Sequence, residues 1–292
     1  MTVASKSLDR ATTATRVRRS GRKQLGTWLI RLGMIALCIV VLLPAFWVVT
    51  ASIQPGSSAF SSSLFPTAFT WANYQKIFDL GFLIWLRNSL ILCTATGLIQ
   101  LTVNALGGYA FSRLRFKGRR LGLMALLVIQ MFPQMLGLAA IYSLLISFNL
   151  LDTIQGIVLV YIGGSAFNMW LLKNYMDSLP RELDESAYVD GANSWRIFWS
   201  VLLPLMRPML VTIFIFGFSG IYNDFIFSSL ILQTPDHFTV AVGLYRLING
   251  QYSTNWAIFA AGSVLASLPV LVIFLSLQKQ LVSGLAQGAV KG

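Results

Sequence analysis

The sequence predicts an all-α integral membrane protein of about six transmembrane helices, and three observations carry that prediction. Of its 292 residues 56% are hydrophobic and only 11% charged, with a mean hydropathy of +0.70; a soluble domain carries roughly a quarter charged residues. The apolar residues come in continuous runs, as spanning helices need, and do not alternate as barrel strands would. The basic residues flank those runs: eight of the 22 lie in the first 31 positions and five more between Arg113 and Arg120, the placement of topology signals. A polybasic arm held near anionic lipid is compatible with the same charges. Nucleic acid is not an expected partner, because neither aromatic–basic interleaving nor a known motif accompanies the net charge of +12.

Crossing a bilayer takes roughly 20 apolar helical residues, and six segments qualify: about 28–53, 87–111, 121–148, 153–173, 203–232 and 256–278. Residues 1–27 are a basic arm, 28–278 the transmembrane domain and 279–292 a tail. The first run is too long for the roughly 7–15 residue core of a cleaved signal peptide and reads as a retained anchor. The arm and "RLRFKGRR" (Arg113–Arg120) belong in the cytoplasm and are separated by two spans, which is self-consistent. Counting onward, residues 149–152 and the loop 233–255 lie outside, the loop 174–202 lies inside, and both termini are cytoplasmic. Gly107-Gly108 and Gly163-Gly164 permit close approach of helices. Cys38 and Cys93, inside apolar runs, read as small core residues. His237 is the only histidine, so no histidine metal cluster is available, and neither a metal nor a cofactor is expected.

The inner loop differs from its surroundings. Lys173 to Arg207 holds four basic and five acidic residues. Arg181 to Asp190 reads as a short helix: Pro180 suits a first turn, and Glu182, Asp184 and Glu185 complement its positive end. Gly191 ends it, Asn193 or Ser194 caps a second helix, and Trp195, Phe198, Trp199 and Leu202 form an apolar stripe on that helix. Leu203-Pro204 admits the chain to the fifth span. An amphipathic connector lying in the headgroups is one reading. The acidic front is awkward for it, since anionic lipid repels carboxylates, and favours a protein partner.

Glu185-Ser186-Ala187, Gly191, Val201 and Leu203-Pro204 keep the spacing E-A-A-x3-G-x9-I-x-L-P. That pattern resembles the cytoplasmic loop of permease subunits in bacterial ATP-binding-cassette importers, with Ser186 in place of alanine and Val201 in place of isoleucine. "YNDFIFSSLIL", the stretch from Thr239 to Phe274 and the tail "LVSGLAQGAVKG" are similar to the carbohydrate branch, above all to the second permease subunit of maltose/maltodextrin importers. The resemblance implies a type I importer permease fold in a bacterial cytoplasmic membrane. It implies one half of a permease heterodimer for sugar uptake, with a second permease subunit, two ATPase subunits and an extracytoplasmic sugar-binding protein as partners. The loop would be the coupling helix that docks on the ATPase. Independently, the chain has no G-x-x-x-x-G-K-[ST] phosphate-binding loop, so an ATP-driven system needs its ATPase elsewhere.

Three further features carry two readings each. Asp224, with Asn223, falls in the fifth span and is either a pathway or interface residue or a structural acid near the outer end. Asn249, Gly250, Gln251 and Tyr252 form either an ordinary outer connector or, by the resemblance, a loop reaching into the binding protein. Val290, Lys291 and Gly292 end a tail that is either frayed or held between the ATPase subunits, as the resemblance implies. A self-contained secondary transporter is the alternative from another class; it needs polar or unwound midplane sites, and Asp224 is the lone acid in a span. No paired carboxylates or nucleophile–base pair point to an enzyme.

Overall fold

The computed structural model describes residues 21–56, 68–163, 165–249 and 255–289, and all their regular structure is helical. The chain divides into two compact units, residues 1–47 and 48–292. In the first, the described residues belong to α1 (Gly21–Ser52), which contains Pro44. Trp28, Ile30, Leu37 and Val41 along it are each 60–66% exposed. Its apolar stretch of 27 residues, Gly26–Ser52, is about 40 Å long, enough to cross hydrocarbon.

The second unit is built around α3 (Phe82–Arg113), with the short α2 (Ala72–Asp79) ahead of it. The chain continues through α4 (Arg119–Gln130), α5 (Leu138–Ser147), α6 (Ile154–Ile162) and α7 (Ala166–Ser178). The inner loop holds α8 (Glu182–Val189), α9 (Ser194–Ile197), a π-helical turn over Phe198–Leu202 and α10 (Leu203–Leu205). Then come α11 (Arg207–Tyr222), α12 (Ile226–Ile231), α13 (Val240–Asn249) and α14 (Trp256–Ala289). Helices α6, α7, α11 and α13 pack on α3, and α14 packs on α2, α11 and α13. Gly107 and Gly108 make the α3–α7 crossing possible: a Cβ on Gly107 would lie 2.4 Å from Met169 Cε, and one on Gly108 3.2 Å from the Lys173 nitrogen. Gly163 has no such neighbour; it marks the break between α6 and α7 instead.

The six apolar runs are present, but only residues 26–52, 82–113 and 256–280 are single long helices. The third run bends by 80° between α4 and the turn leading to α5. Pro133 lacks an N–H and pushes Phe132 away from helical backbone. The fourth bends by 51° between α6 and α7, where Ser165 restarts the helix by accepting from Asn168 N at 3.3 Å. The fifth departs most from expectation. It does not begin at Leu203-Pro204: the chain turns by 77° at Met206, and Pro208 lies in the first turn of α11. Nor does it run to 232, because α11 stops after 16 residues at Tyr222 and Asn223–Phe225 interrupt it. The boundary expected at 278/279 falls inside α14, whose backbone stays helical to Ala289.

Polar groups gather at two ends. At one, Asp152 in the α5–α6 turn accepts from the backbone of Gln233 and Thr234 at 2.7 and 3.1 Å, and His237 Nδ1 lies 3.2 Å away. Asn88 Nδ2 donates to the carbonyls of Asp236 and Phe238 beside it. At the other, Arg113, which opens the basic run, lies against Asp184 of the inner loop and donates to the Leu179 carbonyl.

Candidate functional site

The inner loop is two short helices joined at a capped turn. α8 carries Glu182, Asp184 and Glu185 in its first turn, facing its positive end. It closes with Gly191 at φ +81°, where Gly191 N donates to Tyr188 O at 3.0 Å and Ala192 N to Ala187 O at 2.9 Å. This pair of bonds is a Schellman cap, and it demands the left-handed residue that glycine supplies at low cost. Asn193 then caps α9 by accepting from Arg196 N at 2.8 Å. Tyr188 and Ser194 share a side-chain hydrogen bond of 2.8 Å across the hinge.

The loop rests on a core of Tyr109, Leu172, Met176, Ile197, Phe198, Leu202, Met206 and neighbours. The expected stripe splits there. Phe198 and Leu202 are fully buried, while Trp195 and Trp199 stay 60% and 45% exposed. The π turn pairs residues i and i+5 and widens the helix, so the two columns Trp195–Trp199 and Phe198–Leu202 no longer share one face. The motif residues divide likewise. Ala187, Val201 and Leu203 pack on the core, whereas Glu185, Ser186, Gly191 and Pro204 are exposed. Glu185 has no side-chain bond to another described residue. Reading by spacing overlooked Val189, which is 88% exposed at the tip of the knuckle; a large apolar side chain so placed is free to enter a partner.

The other candidates are distributed elsewhere. Asp224 caps α12, accepting from Ser228 N at 2.9 Å, Ser228 Oγ at 2.8 Å and Phe227 N at 3.4 Å, and the Tyr161 hydroxyl faces it. The break at Asn223–Phe225 therefore satisfies its own carboxylate. Asn223 is exposed and bonds only within its own turn, to Ser219 O at 2.8 Å. With Ser219, Ser263 and Ser267 it borders a cavity of about 580 Å³ between α11, α13 and α14. Asn249 is the exposed last residue of α13; Gly250, Gln251 and Tyr252, like Val290, Lys291 and Gly292, lie outside the described residues. α13 is a firm base, since a Cβ on its Gly243 would meet the Trp85 ring at 2.3 Å.

Residues 103–287 match the family described as binding-protein-dependent transport system inner membrane component. The chain belongs to this family. This permease is 41% identical over 261 residues to the galactooligosaccharides transport system permease protein GanQ of Bacillus subtilis, covering 88% of this chain and 92% of the relative. It is 38% identical to the maltodextrin permease protein MdxG of the same organism, over 88% of this chain and 93% of that one. With the maltodextrin permease protein MalD of Streptococcus pneumoniae it shares 36% identity over 93% and 98%. Among solved structures, a chain of a bacterial ABC transporter for import of the polysaccharide alginate superposes with a TM-score of 0.75 at 25% identity, covering 89% of the permease and 97% of that chain. The matched region runs from the last third of α3 through the whole inner loop and into α14, and family membership sets the secondary-transporter alternative aside.

Proposed function

We propose that this permease is one half of a heterodimeric pathway for oligosaccharide uptake, of the maltose/maltodextrin or a related class, driven by ATP hydrolysis on separate subunits. The observation that carries this reading is the knuckle α8–Gly191–α9. It presents Glu185, Ser186 and Val189 outward on a scaffold locked to α3, α7 and α11. A surface exposed to a partner yet packed on the helices beneath it suits a part that receives mechanical work. The sugar class rests on the relatives, whose names cover galactooligosaccharides and maltodextrins. An extracytoplasmic sugar-binding protein would meet the Asp152–His237 end and the loop after Asn249, and both termini would be cytoplasmic. Asn223 is the pathway-facing member of its pair and Asp224 the structural one. The last residues, Val290 to Gly292, would contact the ATPase dimer. Lipid surrounds α1 and the outer faces of α4 and α5.

The test is purification through a tag on this chain. Stoichiometric recovery of an ATPase and a different permease subunit, with ATP-dependent uptake of a maltodextrin or galactooligosaccharide into vesicles, supports the reading. Uptake by this chain without any ATPase refutes it.

A further inference from the structure

Arg113 ends α3 and opens the basic run, where the sequence gives it the role of a topology signal. Asp184 lies in the first turn of α8, where it complements the helix dipole. The fold joins them: Arg113 Nε lies 2.5 Å from Asp184 Oδ2, with the two side chains only 7% and 12% exposed. Arg113 Nη2 also donates to the Leu179 carbonyl at 3.2 Å, so one guanidinium holds both the link from α7 and the start of α8. Arg115, Lys117 and Arg120, later in the run, are all exposed. Orientation in the membrane needs only charge in the cytoplasm, and burying a charge is costly. Arg119 is half-buried too but reaches only the Leu114 carbonyl beside it; the burial of Arg113 against a carboxylate calls for another reason.

We propose that Arg113 and Asp184 are a positioning pair that clamps the coupling loop to the end of α3, so that α8 and α3 move as one body when the ATPase acts on the loop. The proposal rests on the docking reading above. Two neighbouring bonds support it: one turn earlier Tyr109 Oη donates to Ser194 O at 3.1 Å, and Ser112 Oγ donates to Asp177 Oδ1 at 2.6 Å. α3 therefore grips the loop before, within and after α8. Apolar contacts alone can slide, whereas separating a buried guanidinium–carboxylate pair strands two charges and is strongly opposed. The pair also has unused capacity. The Nε contact lies off the hydrogen-bonding axis, and Arg113 Nη1 and Asp184 Oδ1 are buried without a hydrogen bond. A small cavity of about 150 Å³, lined by Tyr109, Arg113, Asp184, Glu185 and Tyr188, adjoins them. The pair can therefore close to a two-bond fork without separating, a second discrete arrangement of the kind that transmits a conformational change.

The test uses the assembled importer, purified through its ATPase, with Asp184→Asn, Arg113→Lys and the apolar double variant Arg113→Met/Asp184→Leu. The readout is ATP hydrolysis per assembled complex with and without sugar-loaded binding protein. A merely structural pair changes complex yield but leaves the stimulation of each surviving complex normal. The clamp predicts that Asp184→Asn lowers stimulation about tenfold in complexes that still assemble. Arg113→Lys, which keeps the charge but loses the fork, falls between. The double variant recovers yield, since no charge is stranded, but does not recover stimulation. Normal stimulation in Asp184→Asn, full recovery in the double variant, or failure of all three to assemble overturns the clamp. Absence of this permease from the wild-type preparation is a different result and refutes the docking reading itself.

Discussion

Substitution of Gly191 separates backbone conformation from surface packing. At φ +81° this residue carries the Schellman cap of α8, and nothing lies within 4 Å of where a Cβ would stand. Any penalty is therefore conformational. A non-glycine residue in left-handed backbone costs about 1–2 kcal/mol, with valine at the high end because of its branched Cβ, and asparagine costs least because it adopts this region readily. If the ATPase binds the loop only in its capped form, the cost appears directly in affinity, at about tenfold for each 1.4 kcal/mol. Gly191→Val should weaken ATPase binding by roughly ten- to thirtyfold, Gly191→Ala by about fivefold and Gly191→Asn least. The assay is titration of the ATPase onto the permease pair in lipid nanodiscs. Binding by the valine variant within about twofold of wild type would refute the argument. Equal weakening by asparagine and valine would show that the surface, and not the turn, is what matters.

The opposite end offers a pH test. Burial raises the Asp152 pKa, but bonds from the Thr234 hydroxyl, the Gln233 and Thr234 amides and His237 outweigh it and hold the carboxyl at about 2, against 3.8 for the free group. Because the folded value is the lower one, Asp152 contributes stability above pH 4 that is lost as pH falls from about 4 to 2, a contribution that solvent screening keeps modest. Asp152→Asn should lower the Tm at pH 7 and flatten its fall below pH 4; an unchanged pH profile counts against the network. Deleting Asn249–Tyr252 should leave assembly and basal ATP hydrolysis intact while reducing sugar uptake, and unchanged uptake at all sugar concentrations makes this an ordinary connector. Removing Leu285–Gly292 should spare membrane insertion yet lower coupled hydrolysis, with the tail protected from protease only in the presence of the ATPase. Equal cleavage in both conditions and full activity of the truncated chain would make it a plain terminus.

Local chemistry was legible and geometry at a distance was not. Gly191 and Asn193 announce the hinge because a left-handed cap and an N-cap are decided by the residues themselves. The apolar runs announce the spans because lipid requires them. Hydropathy is silent on direction, so the 80° bend beyond α4 and the interruption at Asn223–Phe225 were hidden inside continuous apolar sequence. The Trp195–Leu202 stripe assumed a regular 3.6-residue period, which the π turn breaks. Asp224 looked costly for its depth, yet the break it creates supplies the amides that satisfy it. Arg113 and Asp184 lie in different motifs, and nothing in the spacing of either points to the other.

The most direct test of ATPase coupling through the inner loop is Val189→Asp. Val189 is 88% exposed, so the substitution disturbs no packing in the permease and adds a charge only where a partner would cover it. Co-purification of the ATPase with the membrane-inserted permease pair is the measurement. Docking of the ATPase on the knuckle predicts normal insertion and pairing with loss of the ATPase and of ATP-dependent uptake. A Val189→Asp permease that retains its ATPase in full and imports sugar at the wild-type rate would contradict it.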